Sequence, residues 1–325
     1  MRDCFPRLAL VLLLVVGPGC QSAVTPERQL TPFATIAHKP LKELSGMVAS
    51  RTYPGVLWVH NDSGNEPALF AIDSDGRVLL PEPWAERGHV IGVKKSKRKT
   101  LFAGVPVEGA SNRDWEALAI DGDHLYVCDL GNNDNERRDL TVYVVAEPRP
   151  ATASTTRVLR KLLVAYPDQK NFPPDRNWEY DCEATFVYDH NLYFLTKHRP
   201  RTKAEGPVTS TKLYRLDTQD PTRVNQLTLV ERQSDLGGWV TDADLSPDGR
   251  ILAVLCEAPV QSVWLFDTPA SGDRFLSSRA RRLVFAGAGQ CEALAFVDNH
   301  RLLMGNEDNQ LFMLDVKAFP PHPAP

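Results

Sequence analysis

The fold is decided by CEALAFVDNHRLLMGNED, residues 291–308, continued by QLFMLDV, residues 310–316. Two apolar runs of strand length flank the turn Asp298-Asn299-His300-Arg301, and a third follows the polar Asn306-Glu307-Asp308-Asn309. Short β-prone runs broken by Asp, Asn and Gly read as hairpins. The same pattern recurs upstream. WEALAIDGDHLYVCDLGNN (115–133) leads into LTVYVVAEP (140–148), and CEATFVYDHNLYFLTKH (182–198) into TKLYRLDT (211–218). VTDADLSPDGRILAVLCEA (240–258) leads into SVWLFDTP (262–269). The first copy is ELSGMVAS (43–50), GVLWVHNDSG (55–64) and ALFAIDSDGRVLL (68–80).

One further extended stretch separates successive copies: residues 100–109, 158–167, 226–233 and 280–289. Four strands per repeat define the blade of a β-propeller. The fifth copy lacks its fourth strand, and PFATIAHKP (32–40) has no other partner. The expected fold is therefore all-β, a five-bladed β-propeller closed by the N-terminal strand. The alternative of six blades needs a hidden repeat within residues 81–110. The propeller is expected over residues 32–318, with a disordered Pro-rich tail at 319–325.

Composition agrees with an ordinary globular chain. It has 325 residues, 42% hydrophobic and 24% charged, with 25 Pro scattered among 20 Gly. The net charge of −4 gives no basic field for nucleic acid. The run Lys94-Lys95-Ser96-Lys97-Arg98-Lys99 reads as a solvated hairpin. No stripe suggests an oligomer, so a monomer is expected.

At the N-terminus, Arg2 and Arg7 precede the apolar run Leu8–Val16, too short to span a bilayer but suited to a signal-peptide core. Gly17-Pro18-Gly19-Cys20 resembles a bacterial lipobox. That resemblance implies a signal peptide at residues 1–19, lipidation of Cys20 and a tether over 20–31. Gln21 after the cysteine implies the outer membrane facing the periplasm, with secretion as the alternative. The lipid would be the only contact with a membrane. Cys128, Cys182, Cys256 and Cys291 remain, an even number that permits disulfides in an exported chain. Pairs 128–182 and 256–291 would each link neighbouring blades.

Aligned on their first strands, the repeats read Ser45, Glu116, Glu183, Thr241 and Glu292 at one position. First strands line a propeller's channel, so these side chains are expected to converge. Like charges so placed take up protons or recruit a cation. A ring of oxygens without His or thiolate suits calcium, which accepts 6–8 oxygens at ~2.3–2.6 Å in irregular geometry. The ring order, and Leu44-Ser45-Gly46-Met47, resemble calcium-activated nucleotidases of the apyrase type. The body also resembles exported bacterial propellers of the SdiA-regulated and phytase-like type. The first resemblance implies a five-bladed propeller with calcium in its tunnel.

Polar turns surround the expected channel mouth. Asn61, Asp62, Arg113, Trp115, Asn132, Lys197, His198 and Asn306 are the candidate ligand-binding residues there, since loops on a rigid ring carry binding sites. Arg and Lys can hold a phosphate or carboxylate, and Trp can stack on a ring. Two functions remain: an envelope propeller presenting its polar face to a small-molecule or protein ligand, and a calcium-dependent hydrolase of phosphate esters or anhydrides. In the second, Glu183 or Asp114 would take the proton from an attacking water.

Overall fold

The computed structural model describes residues 27–85, 91–92, 99–176, 178–200, 202 and 206–325. The expected signal peptide, Cys20, most of the expected tether and nearly all of the Lys94–Lys99 run lie outside the described residues.

After the two-residue strand Arg28–Gln29 comes another short strand, β1 (Ala34–Thr35). The first four-stranded unit is β2 (Leu44–Ala49), β3 (Leu57–Asn61), β4 (Ala68–Ile72) and β5 (Val105–Glu108). The second is β6 (Trp115–Asp121), β7 (His124–Asp129), β8 (Thr141–Ala146) and β9 (Thr156–Ala165). The third is β10 (Trp178–Tyr188), β11 (Asn191–Arg199), β12 (Thr211–Leu216) and β13 (Thr228–Gln233). The fourth is β14 (Gly238–Leu245), β15 (Ile251–Pro259), β16 (Ser262–Asp267) and β17 (Ala280–Ala286). Last come β18 (Cys291–Asp298), β19 (Arg301–Asn306) and β20 (Gln310–Asp315).

Each unit is an antiparallel meander, as the turn chemistry requires. The final unit gains its fourth strand from the N-terminus, with Ala34 opposite Leu311 and Thr35 opposite Gln310. Innermost strands β2, β6, β10, β14 and β18 each pack against the next, and β18 returns to β2. The result is an all-β, propeller-like fold. Five apolar clusters fill it; one joins β7 and β8 to β11 and β12, and another joins β15 and β16 to β19 and β20. The alternating pattern of the strands thus serves two faces, each unit burying side chains against both neighbours.

Two expectations are corrected. The C-terminal tail is ordered: Pro321–His322 pairs with Ala280–Arg281, and His322 meets the Trp264 ring edge-on at 4.7 Å. Gln233 donates to the Pro325 carbonyl at 2.6 Å. Proline suits this edge because it need not donate to a further strand. The expected disulfide pairs are not bridged: Cys128, Cys182, Cys256 and Cys291 are buried free thiols. Cys182 donates to the Ala184 carbonyl and Cys291 to the Ala288 carbonyl. Cys256 and Cys291 belong to different apolar clusters, which separates the second pair.

Candidate metal centre at the channel mouth

The ring position is marked by a β-bulge in every unit. Pairing of β6 with β7 skips Glu116; pairing of β10 with β11 skips Glu183. Thr241 and Glu292 are skipped in the same way in the last two units. A bulge leaves one residue unpaired and re-aims its side chain. In the first unit the skipped residue is Gly46, so Ser45 stands one place out of register with the others. Gly46 has φ +68°, and an added Cβ would lie 2.6 Å from His60 Nε2. The Ser45 hydroxyl is buried and has no hydrogen-bond partner among the described residues.

The three ring glutamates do come together. Glu116 is pushed well above the usual carboxylate range by burial, and then by the charges of Glu183, Asp62, Asp114 and Asp181. Glu292 is raised to about 7, again by burial first and Glu183 second. Thr241 does not join them; its hydroxyl donates to the Cys291 carbonyl at 2.8 Å, tying the fourth unit to the fifth. Glu183 already has protein cations beside it, Lys197 Nζ at 3.0 Å and Arg199 Nη2 at 3.9 Å.

The carboxylates that crowd without an ion-pair partner among the described residues belong to the first, second and fifth units. Asp62, Asp114 and Glu116 each place an oxygen within 4.8 Å of the others, and so do Asp62, Glu292 and Glu307. Asp62 belongs to both groups. Its own carboxyl is raised by burial, by Glu183 and by Glu43, against the Ser63 backbone N–H and Lys197. Asp114 is raised to about 6 by burial and by Asp62 and Glu183. Glu307 is raised too, burial first and Asp62 next. Gly131 closes the back of this cluster; a methyl there would collide with the carboxylates of Asp114 and Glu116.

Several expected ligand-binding residues hold structure instead. Trp115 is fully buried and donates to the Ser111 carbonyl at 2.8 Å, so it cannot stack on a ligand. Asn61 accepts from Lys42 N and donates to the Pro40 carbonyl. Asn132 accepts from Arg137 N and donates to the Tyr180 carbonyl. Asn306 accepts from Gln310 N and donates to the Ala288 carbonyl. Each is a short amide replacing the backbone partners that a sharp turn leaves unmet. Arg113 pairs with Asp139 at 2.7 Å on the exposed surface. His198 is buried between Ser210 and Thr196 and lines a separate cavity of about 290 Å³ with Lys212 and Arg232.

Glu307 and Asp181 were not among the candidate site residues read from the sequence. A signal existed for Asp181: Asp114-Trp115-Glu116 and Asp181-Cys182-Glu183 repeat one Asp-X-Glu pattern at equivalent places. At the opposite end of the ring a cavity of about 610 Å³ lies among the turns at Asp121–Gly122, Tyr188–His190 and Leu245–Gly249. It is larger, but its buried acid Asp244 spends both oxygens on the N–H groups of Leu245 and Phe296. The carboxylates at the mouth, by contrast, are mutually repelling.

The fold and this cluster define an acidic, propeller-like β protein. No family model matches the chain, and no curated protein matches it. Among solved structures it is similar to a chain described as "Crystal Structure of Mitotic Checkpoint Complex". That match has 11% identity and a TM-score of 0.42, and covers 96% of this chain and 99% of the other.

Proposed function

We propose that this protein holds a hard divalent cation, calcium by its chemistry, at the channel mouth and presents it to a ligand. One observation carries the reading: Asp62 belongs to two carboxylate groups whose oxygens lie within 4.8 Å of one another. Oxygens on one calcium ion span at most about 5 Å, twice the bond length, so each group matches the ion's reach. The ligands would be Asp62 with Asp114 and Glu116, or Asp62 with Glu292 and Glu307, each group sized for one ion. This set departs from the sequence-based ring, dropping Ser45 and Thr241 and leaving Glu183 to Lys197. An ion there would supply the positive charge that relieves the repulsion. The lipobox-like start supports an exported, lipid-anchored chain, which would meet calcium outside the cytoplasm.

Calcium titrated into the chelated protein by calorimetry tests the cation, and a melt checks it independently. Ligand that binds only the folded state stabilises it by about 2.7 kcal/mol at a hundred times its Kd. No heat and an unchanged midpoint would reject the proposal. A second reading, hydrolysis of phosphate esters or anhydrides, rests on Asp114: its raised pKa, near neutrality, suits a base beside a metal-held water. Turnover of nucleotides or phytate, dependent on calcium and lost in Asp114→Asn, would select it.

A further inference from the structure

The mouth has a second half, built by the third and fourth units, whose chemistry is the reverse of the acidic one. Arg199 ends β11, and Trp178 lies directly opposite it across the hairpin. Its guanidinium also sits 6.0 Å from the centre of the Trp239 ring. The Arg199 side chain keeps a third of its surface exposed. Its carboxylate neighbours stand off, Asp181 at 3.5 Å and Glu183 at 3.9 Å, too far for good hydrogen bonds. Arg199 Nε, Trp178 Nε1 and Trp239 Nε1 are all buried and have no acceptor among the described residues. Buried donors normally find partners, and those that do not call for a missing one.

From these two unpartnered indole donors beside one loosely paired guanidinium we infer that Arg199, Trp178 and Trp239 seat an oxyanion, a carboxylate or phosphate group on an organic ligand. This inference rests on the cation site proposed above and names its ligand class. Guanidinium forks match planar oxyanions, and indole N–H groups donate without competing as acceptors. The neighbouring carboxylates would repel such a group unless the cation is in place. Oxyanion and calcium therefore bind with positive coupling, and each raises the other's affinity by the same factor.

The test is calorimetric titration of calcium into the intact chain with and without benzoate or phenyl phosphate, and with benzyl alcohol as uncharged control. At saturating anion the calcium Kd is expected to fall at least about fivefold, with no change in benzyl alcohol. In Arg199→Gln and in the milder Trp239→Phe the anion effect is expected to shrink below about twofold. A benzoate response identifies a carboxylate seat and a phenyl phosphate response a phosphate seat. Calcium binding that neither anion alters, or an anion effect that survives both variants, overturns the oxyanion seat alone. Absence of calcium binding in every arm overturns the cation site and the coupled seat with it.

Discussion

Asp62 concentrates the chemistry because it is the one side chain shared by both carboxylate groups. Asp62→Asn keeps the volume and removes a charge from each group at once. It is expected to weaken calcium binding at least tenfold, more than Glu307→Gln, which touches one group only; parallel titrations compare them. Gly131 gives a second residue test. Gly131→Ala would push the Asp114 and Glu116 carboxylates away from their positions. Calcium affinity should fall while the far units, and so the far-UV spectrum, stay unchanged; retained affinity would show that the site does not need this backbone approach. Residue identity was partly legible. Glu116, Glu183 and Glu292 could be found by aligning repeats, but Ser45 could not be told from Gly46. The bulge that shifts the first unit by one place follows from Gly46 adopting φ +68° against His60, a packing fact no strand pattern records.

Strands were more legible than sites. The fourth strands at Val105–Glu108, Thr228–Gln233 and Ala280–Ala286 fall within the stretches read between repeats, and Thr156–Ala165 overlaps its stretch but starts two residues earlier. Hairpins announce themselves through turn residues, and apolar alternation supplies the rest. The wrapping of the ends was not legible, because Pro321–His322 carries no apolar pattern. Its pairing covers one side of β17, whose other end is flanked in parallel by Arg28–Gln29. Unpaired strand edges invite association. Ending the chain at Ala318 should expose that edge and remove the His322 contact with Trp264. Each lost kcal/mol should lower the melting point by about 2–4 °C, and the truncated protein should self-associate. Light scattering and a melt would measure both; a monomer with the full-length midpoint would contradict this role.

Across the whole molecule, buried histidines and raised carboxylates pull stability in opposite directions with pH. His198 is lowered to about 3 by burial and by Lys212 and Arg232, and His60 to about 4 by burial. As pH falls below ~6.5 the unfolded chain protonates these histidines and the folded chain does not, so each removes about 1.4 kcal/mol per pH unit. Glu292, raised to about 7, and Asp114 and Asp244, raised to about 6, act in the other sense. The folded state takes up their protons above the unfolded pKa, so stability rises as pH falls through these values. Without calcium the raised carboxylates, Glu116, Asp62 and Glu307 among them, oppose the histidines between pH 7 and 5. Calcium bound at the proposed site would hold Glu292 and Asp114 ionised and cancel their share. From pH 7 to 5 the calcium-loaded protein is therefore expected to lose stability relative to the chelated protein. Melts across that range, with calcium and with chelator, should diverge in slope; parallel curves would mean that these carboxylates do not hold the ion.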